Sequence, residues 1–403
     1  MLEGYRVLDL SGEPGFLAGK ILGDMGADVI KIEPPGGHPD RRPPYLAGIE
    51  DPERSLLWLA LNTSKRGITL NLGDERGREL FQRLVAGADV VLESEPAGAL
   101  ESLGVGPEAL RRSRPELVYT AITPFGQTGP WARYRAHDLV AVALGGNALT
   151  TGHPDRPPVR CSMPAAYFHV GPEAALATAL ALWARVNTGE GQLVDVSLTE
   201  TQLQTLLSAP AQFAFHGRPT RRSGDRLGGT REIWETRDGY VSFGLRGGPA
   251  RVANLRATAQ YMAECGMAPE WLERYDWESY NHNTLSEEEV ARLEEAFATF
   301  FRTRTMRELY EEAVKRRIML APCNDAQELI EHPQLRAREF FVKLEYPEFD
   351  AVIEHPAFFG RSSQGDIRIR RRAPRIGEHN AEVYGELGVE TGELQALAAD
   401  GVI

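Results

Sequence analysis

The stretch YRVLDLSGEPGFLAGKILGDMGADVIKIE, residues 5–33, decides the fold class of this chain. Two apolar runs bounded by turn residues, residues 6–10 and 27–32, are typical of short buried strands, and residues 17–25 between them have helical spacing. Neighbouring parallel strands need a crossover connection, which is usually a helix. The stretch therefore predicts a strand–helix–strand unit of a parallel sheet.

The same alternation continues along the first half of the chain. Residues 88–92 and 117–122 have the strand pattern, and residues 76–86 have the helical one. Residues 172–186 are nearly all apolar and predict a buried core helix, which a strand at residues 193–197 follows. The first half is therefore predicted to be doubly wound α/β.

The length of the chain predicts two structural units. Single cores stop growing well below 403 residues. A basic, glycine-rich stretch, HGRPTRRSGDRLGGTRE at residues 216–232, indicates a boundary just after Pro210. We expect a large domain formed by residues 1–210 and 328–403, with linkers and a small domain at residues 211–327.

Charge and cysteine content restrict the partners and the compartment. A formal net charge of −12 argues against binding of nucleic acid, which needs an excess of Lys and Arg. The three cysteines form no CxxC pair and leave one thiol over in any disulfide scheme. The chain starts without the pattern of a signal peptide, and its Ala/Leu stretch at residues 174–184 is too short to span a bilayer. These features predict a cytoplasmic protein with no membrane partner.

Common motif patterns indicate neither a nucleotide cofactor nor a metal. Gly12, Gly15 and Gly19 follow the first strand, but their spacing is GxxGxxxG and not the GxGxxG of dinucleotide-binding folds. We expect them to allow tight packing of the helix on the strand. No histidine falls in HExxH or another metal-ligand spacing.

Several ordered segments carry a more specific pattern. They are GADVIKIEPPGG (residues 26–37), LNTSKRGITLNL (61–72), ADVVLESEPAGALESLGV (88–105), ITPFGQTGP (122–130), NTGEGQLVDVSLTE (187–200), DGYVSFG (238–244), HPQLRAREFF (332–341) and RIGEHNAEVYGELG (375–388). Together they resemble the family III CoA-transferases over almost the whole chain. The resemblance implies a Rossmann-like large domain built from both chain ends, a smaller central α+β domain, and an interlocked dimer. It also implies coenzyme A thioesters as substrates, with no covalently bound cofactor.

The resemblance places Tyr167 at the catalytic position of the family. An aspartate there attacks the acyl-CoA thioester, and it stands in a stretch that corresponds to PAAYFHVG, residues 164–171. A phenol has a pKa of about 10 and is mostly protonated at pH 7. The nearest acids along the chain, Asp155 and Glu173, replace the aspartate only if the loop rearranges.

The resemblance also implies a weakened CoA site near Pro34, Arg42, Ser94 and Glu95. Pro34 follows Glu33 where relatives have a basic residue, and Ser94 and Glu95 replace an Asn-Phe pair that helps to hold the adenine. A carboxylate at Glu95 would repel the phosphates of CoA. We therefore expect a partner subunit to hold most of the CoA.

Two further residues, His137 and Asp138, are weak catalytic candidates. Racemases of this family use a histidine at a similar place as a base, but they also need the aspartate that is replaced by Tyr167. The combined prediction is a non-catalytic subunit that works with a related family III subunit, transferring CoA between an acyl-CoA, for example succinyl-CoA, and a carboxylic acid. The alternatives are a homodimer with altered chemistry, such as a racemase or a lyase, and a non-enzymatic binding or regulatory protein.

Overall fold

The chain divides into a large unit and a smaller one in the computed structural model, which describes residues 1–248 and 251–403. The large unit consists of residues 1–149, 160–220 and 334–403, and the smaller unit consists of residues 150–159 and 221–333. The large unit thus draws on both ends of the chain. These junctions differ from the domain boundaries inferred from the sequence, after residue 210 and before residue 328, and residues 150–159 belong to the smaller unit.

A six-stranded parallel sheet forms the centre of the large unit, with strand order β3-β2-β1-β4-β5-β6. The strands are β1 (Arg6–Asp9), β2 (Asp28–Glu33), β3 (Lys65–Thr69), β4 (Val90–Glu93), β5 (Val118–Thr123) and β6 (Leu193–Ser197). The chain leaves β1 toward one side of the sheet and later returns to its other side at β4. The gap between the carboxyl ends of β1 and β4 is therefore the topological switch point, where open α/β sheets bind ligands.

Helices bury both faces of this sheet. Val7 of β1 packs into the core on one face, and its neighbour Leu8 packs into the core on the other. The helices up to the end of β6 and just beyond it are α1 (Glu13–Asp24), α2 (Leu56–Leu61), α3 (Glu75–Ala86), α4 (Ala99–Ser102), α5 (Pro107–Ser113), α6 (Asp138–Leu144), α7 (Asn147–Thr150), α8 (Ala165–Thr188), α9 (Leu198–Gln202) and α10 (Ala209–His216).

The smaller unit has its own core around an antiparallel sheet. Its strands are β7 (Arg226–Leu227), β8 (Thr230–Arg231), β9 (Ile233–Glu235), β10 (Tyr240–Phe243) and β11 (Leu320–Pro322), of which β9, β10 and β11 form one sheet. Its helices are α11 (Pro249–Glu264), α12 (Glu270–Glu273), α13 (Glu287–Phe301), α14 (Met306–Arg316) and α15 (Ala326–Glu331). Trp234, Phe243 and Phe297 pack edge to face or tilted in its core. The predicted class, an α/β large unit with a smaller α+β unit, is confirmed.

The C-terminal segment returns to the large unit. It forms α16 (Pro333–Ala337), β12 (Phe341–Tyr346), β13 (Ala351–Pro356), α17 (Asn380–Glu386) and α18 (Thr391–Ala399). Asn380 fastens this segment to the sheet, because its side-chain oxygen accepts the backbone N–H of Thr69 at 2.9 Å. No helix among the described residues is both long and apolar enough to cross a bilayer.

Helix α8 differs from its prediction at both its start and its surface. It begins at Ala165, seven residues before the predicted start at Pro172, and Pro172 lies inside it. A buried core helix was predicted, but Leu176, Leu180, Trp183 and Val186 are 55%, 55%, 68% and 71% exposed. The apolar residues of α8 therefore lie on two faces of the helix: one face packs on the core, and the other faces outward.

Close backbone packing fixes α8 against α1. A Cβ atom at Gly171 would lie 2.8 Å from Leu17 Cβ, which is closer than side chains pack. Glycine at this position lets the two helices approach. The first turns of α1 and α8 are consequently held close to each other.

A charged cluster is fully buried where β1 ends. Lys65 Nζ donates to Asp9 Oδ2 at 2.8 Å, and Lys31 Nζ lies 3.4 Å from Asp9 Oδ1. All three residues are 0% exposed. A Cβ atom at Gly19 would lie 2.3 Å from Asp9 Oδ2, so glycine on α1 makes room for the cluster. The glycines after β1 thus allow close packing, as the sequence predicts.

Candidate functional site

The switch point of the sheet is closed by hydrogen bonds of the chain itself. Gly12, in the turn between β1 and α1, donates its backbone N–H to Ser94 Oγ at 2.8 Å, and Ser94 directly follows β4. Glu13, the first residue of α1, donates its backbone N–H to Asp40 Oδ2 at 2.7 Å. Free N–H groups at a helix start are the usual site for a phosphate. Here the side chains of Ser94 and Asp40 occupy them.

Tyr167 lines a cleft of about 450 Å³ in the large unit. It belongs to the first turn of α8, and its side chain is half-buried. The other residues that line the cleft are Glu13, Arg42, Pro43, Pro44, Leu57, His137, Asp138, Leu139, Arg160, Met163 and Pro164. The predicted site residues Tyr167, His137, Asp138 and Arg42 are thus brought together, and we call this space the Tyr167 cleft.

Glu13 places a carboxylate in the Tyr167 cleft. The residue is only 6% exposed, and its side chain forms an ion pair with Nη2 of Arg42. Burial raises the pKa of Glu13, and the ion pair with Arg42 offsets only part of that rise. The backbone of Arg42 is fixed in turn, because its carbonyl accepts the hydroxyl of Ser55 at 2.7 Å.

Asp138 has a structural role at the start of α8. Its Oδ1 accepts the backbone N–H of Ala166 at 2.7 Å, and Ala166 directly precedes Tyr167. Helix starts leave such N–H groups without intrahelical partners. Asp138 therefore stabilises the helical turn that carries Tyr167. His137 precedes α6 and is exposed at the rim of the cleft.

The environment of Tyr167 keeps its phenol protonated. Burial raises its pKa above the usual value of 10.0, and the nearby carboxylates of Glu13, Asp138 and Asp40 raise it further. A hydrogen bond between the phenol and the backbone of Asp138 acts in the opposite direction and is outweighed. A phenol in this state is a poor nucleophile at neutral pH.

The remaining predicted site residues are not among those that line the Tyr167 cleft. Pro34 is exposed in the loop after β2, while Ser94 and Glu95 are half-buried after β4. Burial raises the pKa of Glu95, with Lys31 opposing the rise. Its neighbour Glu93 is almost completely buried, and this burial raises the pKa of Glu93 to about 8. This edge of the sheet therefore carries two carboxyl groups whose burial favours their neutral forms.

The sequence analysis did not identify two residues of the site, Glu13 and Asp40. Asp40 reaches the start of α1 across 27 residues of chain, and Arg42 reaches Glu13 across 29. Such pairs leave no local pattern. The one available signal is the Glu13-Pro14 dipeptide after β1, because Pro is favoured in the first turn of a helix and an acid is favoured at its start. That signal identifies the helix start but not the cleft.

Among the described residues, no group of three His, Cys, Asp or Glu side chains is arranged to hold a metal ion. The chemical groups in the Tyr167 cleft are the carboxylates of Glu13 and Asp138, the guanidinium groups of Arg42 and Arg160, the imidazole of His137 and the phenol of Tyr167.

Two helices of the large unit carry exposed apolar side chains. On α8 they are Leu176, Leu180, Trp183 and Val186. Phe213 and Phe215 on α10 are 57% and 86% exposed, and the preceding Leu207 is 77% exposed. Exposed apolar patches of this kind mark interaction sites.

A family model and individual relatives both match this chain over nearly its whole length. The model of CoA-transferase family III matches residues 2–380. The subunit BbsE of succinyl-CoA:(R)-benzylsuccinate CoA-transferase from Thauera aromatica is 34% identical over 402 residues, which cover 99% of this chain and 97% of that protein. Succinate–glutarate CoA-transferase from Agrobacterium fabrum is 30% identical, with coverage of 96% and 95%.

A solved structure has the same fold. A CAIB/BAIF family protein from Brucella suis aligns with a TM-score of 0.83 and 29% identity, over 96% of this chain and 99% of that one.

Proposed function

Because the chain belongs to CoA-transferase family III, we propose that it is the non-catalytic subunit of a heteromeric CoA-transferase. The complex moves CoA from an acyl-CoA, such as succinyl-CoA, to a carboxylic acid. A related subunit supplies the aspartate and holds most of the CoA thioester. The observation that carries the proposal is Tyr167, a protonated phenol in the cleft where the family resemblance places the aspartate.

The chemistry of CoA transfer explains why the residue type at position 167 decides the function. A carboxylate attacks the thioester, expels CoA thiolate and forms a mixed anhydride. The thiolate then attacks the enzyme's carbonyl of this anhydride, which releases the donor acid and leaves a CoA thioester on the enzyme for the acceptor acid. The carboxylate is ionised at neutral pH, whereas a phenol with a raised pKa is not. Tyr167 therefore cannot take the place of the aspartate in this route.

The start of α1 supports the assignment of CoA to the partner. Its first free N–H groups already bind Ser94 and Asp40, so a phosphate would have to displace both side chains. The carboxyl of Glu95, near the same edge of the sheet, adds like-charge repulsion when it is ionised. A partner with an open phosphate site avoids both costs.

The exposed apolar side chains of α8 and α10 support association with a second subunit. Trp183 and Phe215 are 68% and 86% exposed, and burying such side chains stabilises an interface by about 1.5–3 kcal/mol each. The relative from Thauera aromatica is itself named as a subunit of a CoA-transferase. We propose that a related chain covers these side chains and that the two chains interlock as a dimer.

One observation favours a second candidate, a homodimer with altered chemistry. Glu13 supplies a carboxylate to the Tyr167 cleft, and a displaced Arg42 would leave it able to act as a nucleophile or a base. In a racemase or lyase, His137 would serve as the second group. This candidate requires acyl-CoA turnover by this chain alone. A non-enzymatic binding or regulatory protein would turn over acyl-CoA neither alone nor with a related chain.

Co-expression separates the three functions. The chain is purified alone and together with a related family III chain, and mass and CoA transfer from succinyl-CoA are measured. We expect transfer only by the mixed complex, lost when the partner's aspartate is changed to alanine and retained in Tyr167→Phe. Turnover by this chain alone, abolished in Glu13→Gln, would overturn the proposal in favour of the homodimer.

A further inference from the structure

The Tyr167 cleft contains two guanidinium groups with different partners. Arg42 is neutralised by the buried carboxylate of Glu13. Arg160 is exposed and donates from Nη1 to the neighbouring carbonyl of Cys161 at 3.3 Å, but among the described residues no acidic side chain forms an ion pair with it. The cleft therefore offers one cation whose charge a ligand can neutralise.

The rest of the lining is largely hydrocarbon. The apolar residues are Pro43, Pro44, Leu57, Leu139, Met163 and Pro164. Prolines and a methionine present apolar surface of irregular shape, which suits a ligand with a bulky hydrocarbon body. A volume of about 450 Å³ is within the range of small-molecule sites.

We propose that the Tyr167 cleft binds a free carboxylic acid with a hydrocarbon body, that Arg160 pairs with its carboxylate, and that CoA is excluded. This inference deepens the proposed function, on which it rests for the acid as a reactant. The non-catalytic subunit would then sense or hold the acid, while the thioester stays with the partner.

Exclusion of CoA follows from the surroundings of the cleft. Glu13 is common to the cleft and to the start of α1, where Asp40 occupies the N–H group of Glu13. A thioester would bring its phosphates toward these carboxylates and toward N–H groups that are already bonded. A free acid brings only a carboxylate, which Arg160 can pair with in a charge-assisted hydrogen bond.

Equilibrium binding tests the inference without any turnover. The full chain is titrated calorimetrically with (R)-benzylsuccinate, succinate and CoA. We expect benzylsuccinate to bind, succinate to bind more weakly because it lacks the apolar body, and CoA not to bind. Arg160→Ala should weaken benzylsuccinate binding at least about tenfold. Arg361→Ala, which removes another exposed arginine of the large unit, should leave the affinity unchanged.

A second measurement works in the assembled complex. Phenylglyoxal modifies accessible arginines, and mass spectrometry reports each site separately. Benzylsuccinate should protect Arg160 and not Arg361. Absent binding, equal affinity in Arg160→Ala, or CoA binding as tight as that of the acid would each overturn the inference. Transfer by the mixed complex would still support the proposed function, so the two failures are distinguishable.

Discussion

Asp138 Oδ1 accepts the backbone N–H of Ala166 at 2.7 Å, so a residue of α6 caps the first turn of α8 immediately before Tyr167. The bond gives Asp138 a defined structural task. Asp138→Ala should lower the free energy of unfolding by about 1 kcal/mol, as for other lost helix caps. Asp138→Asn keeps an oxygen acceptor and should recover most of this loss. Urea unfolding of the three proteins measures the difference, and equal stability of all three would refute the capping role.

The buried cluster at the end of β1 should be the most sensitive charged site in the large unit. Asp9→Asn leaves Lys31 and Lys65 buried without a carboxylate. Removal of one partner from a buried ion pair costs about 3–5 kcal/mol of stability. The control is Asp400→Asn, which removes an exposed partner of Arg76 and should have little effect. Denaturant unfolding compares the variants, and a small effect of Asp9→Asn would contradict the prediction.

Glu93 should make stability depend on pH. Its pKa rises from 4.5 to about 8 in the folded protein because it is buried. The folded state thus binds more protons than the unfolded state between these values, and the contribution of Glu93 to stability is lost as pH rises through this window. Glu93→Gln should flatten that decline.

Unfolding experiments at several pH values between 5 and 8 would reveal the difference in slope between wild type and Glu93→Gln. The control is Glu79→Gln, a substitution of an exposed glutamate of α3. An identical pH slope in wild type and Glu93→Gln would rule out this role of Glu93.

The outer face of α8 should determine assembly. Leu180→Glu and Trp183→Arg each place a charge on a side chain that is 55% or 68% exposed. A charge buried at an interface without a partner is costly, so both variants should shift the proposed mixed dimer toward separate chains. Light scattering after size-exclusion chromatography measures the mass. Val352→Glu, at a 62% exposed position of β13, is the control and should leave the mass unchanged. Retention of the dimer in both α8 variants would exclude this face as the interface.

The sheet was largely predictable because its strands are apolar, but β3 was not recognised as a strand. Its sequence, KRGIT, begins with two charged residues that favour an exposed loop. Lys65 is nevertheless fully buried, since Asp9 and Asn62 both accept hydrogen bonds from its Nζ at 2.8 Å. The acceptor on β1 lies 56 residues away in the chain. A strand that depends on such a partner cannot be identified from its own composition.

The candidate site was predictable only in part. The family resemblance located Tyr167, His137, Asp138 and Arg42, which line one cleft. It did not reveal that Asp138 is engaged with a backbone N–H, or that Glu13 brings a carboxylate into the same space. Both facts depend on how loops cross the carboxyl edge of the sheet, and loop paths depend on packing between distant segments.

The close contact between Gly171 and Leu17 has a consequence for how this chain could change over evolutionary time. Tyrosine and aspartate codons differ by a single base, and the helices that carry position 167 and Glu13 are already packed together, so the scaffold itself offers no obstacle to an aspartate at position 167. The obstacle is electrostatic, because a new acid would join Glu13 and Asp138 in one cleft. Tyr167→Asp would therefore need a second, compensating substitution that removes or neutralises one of those two acids.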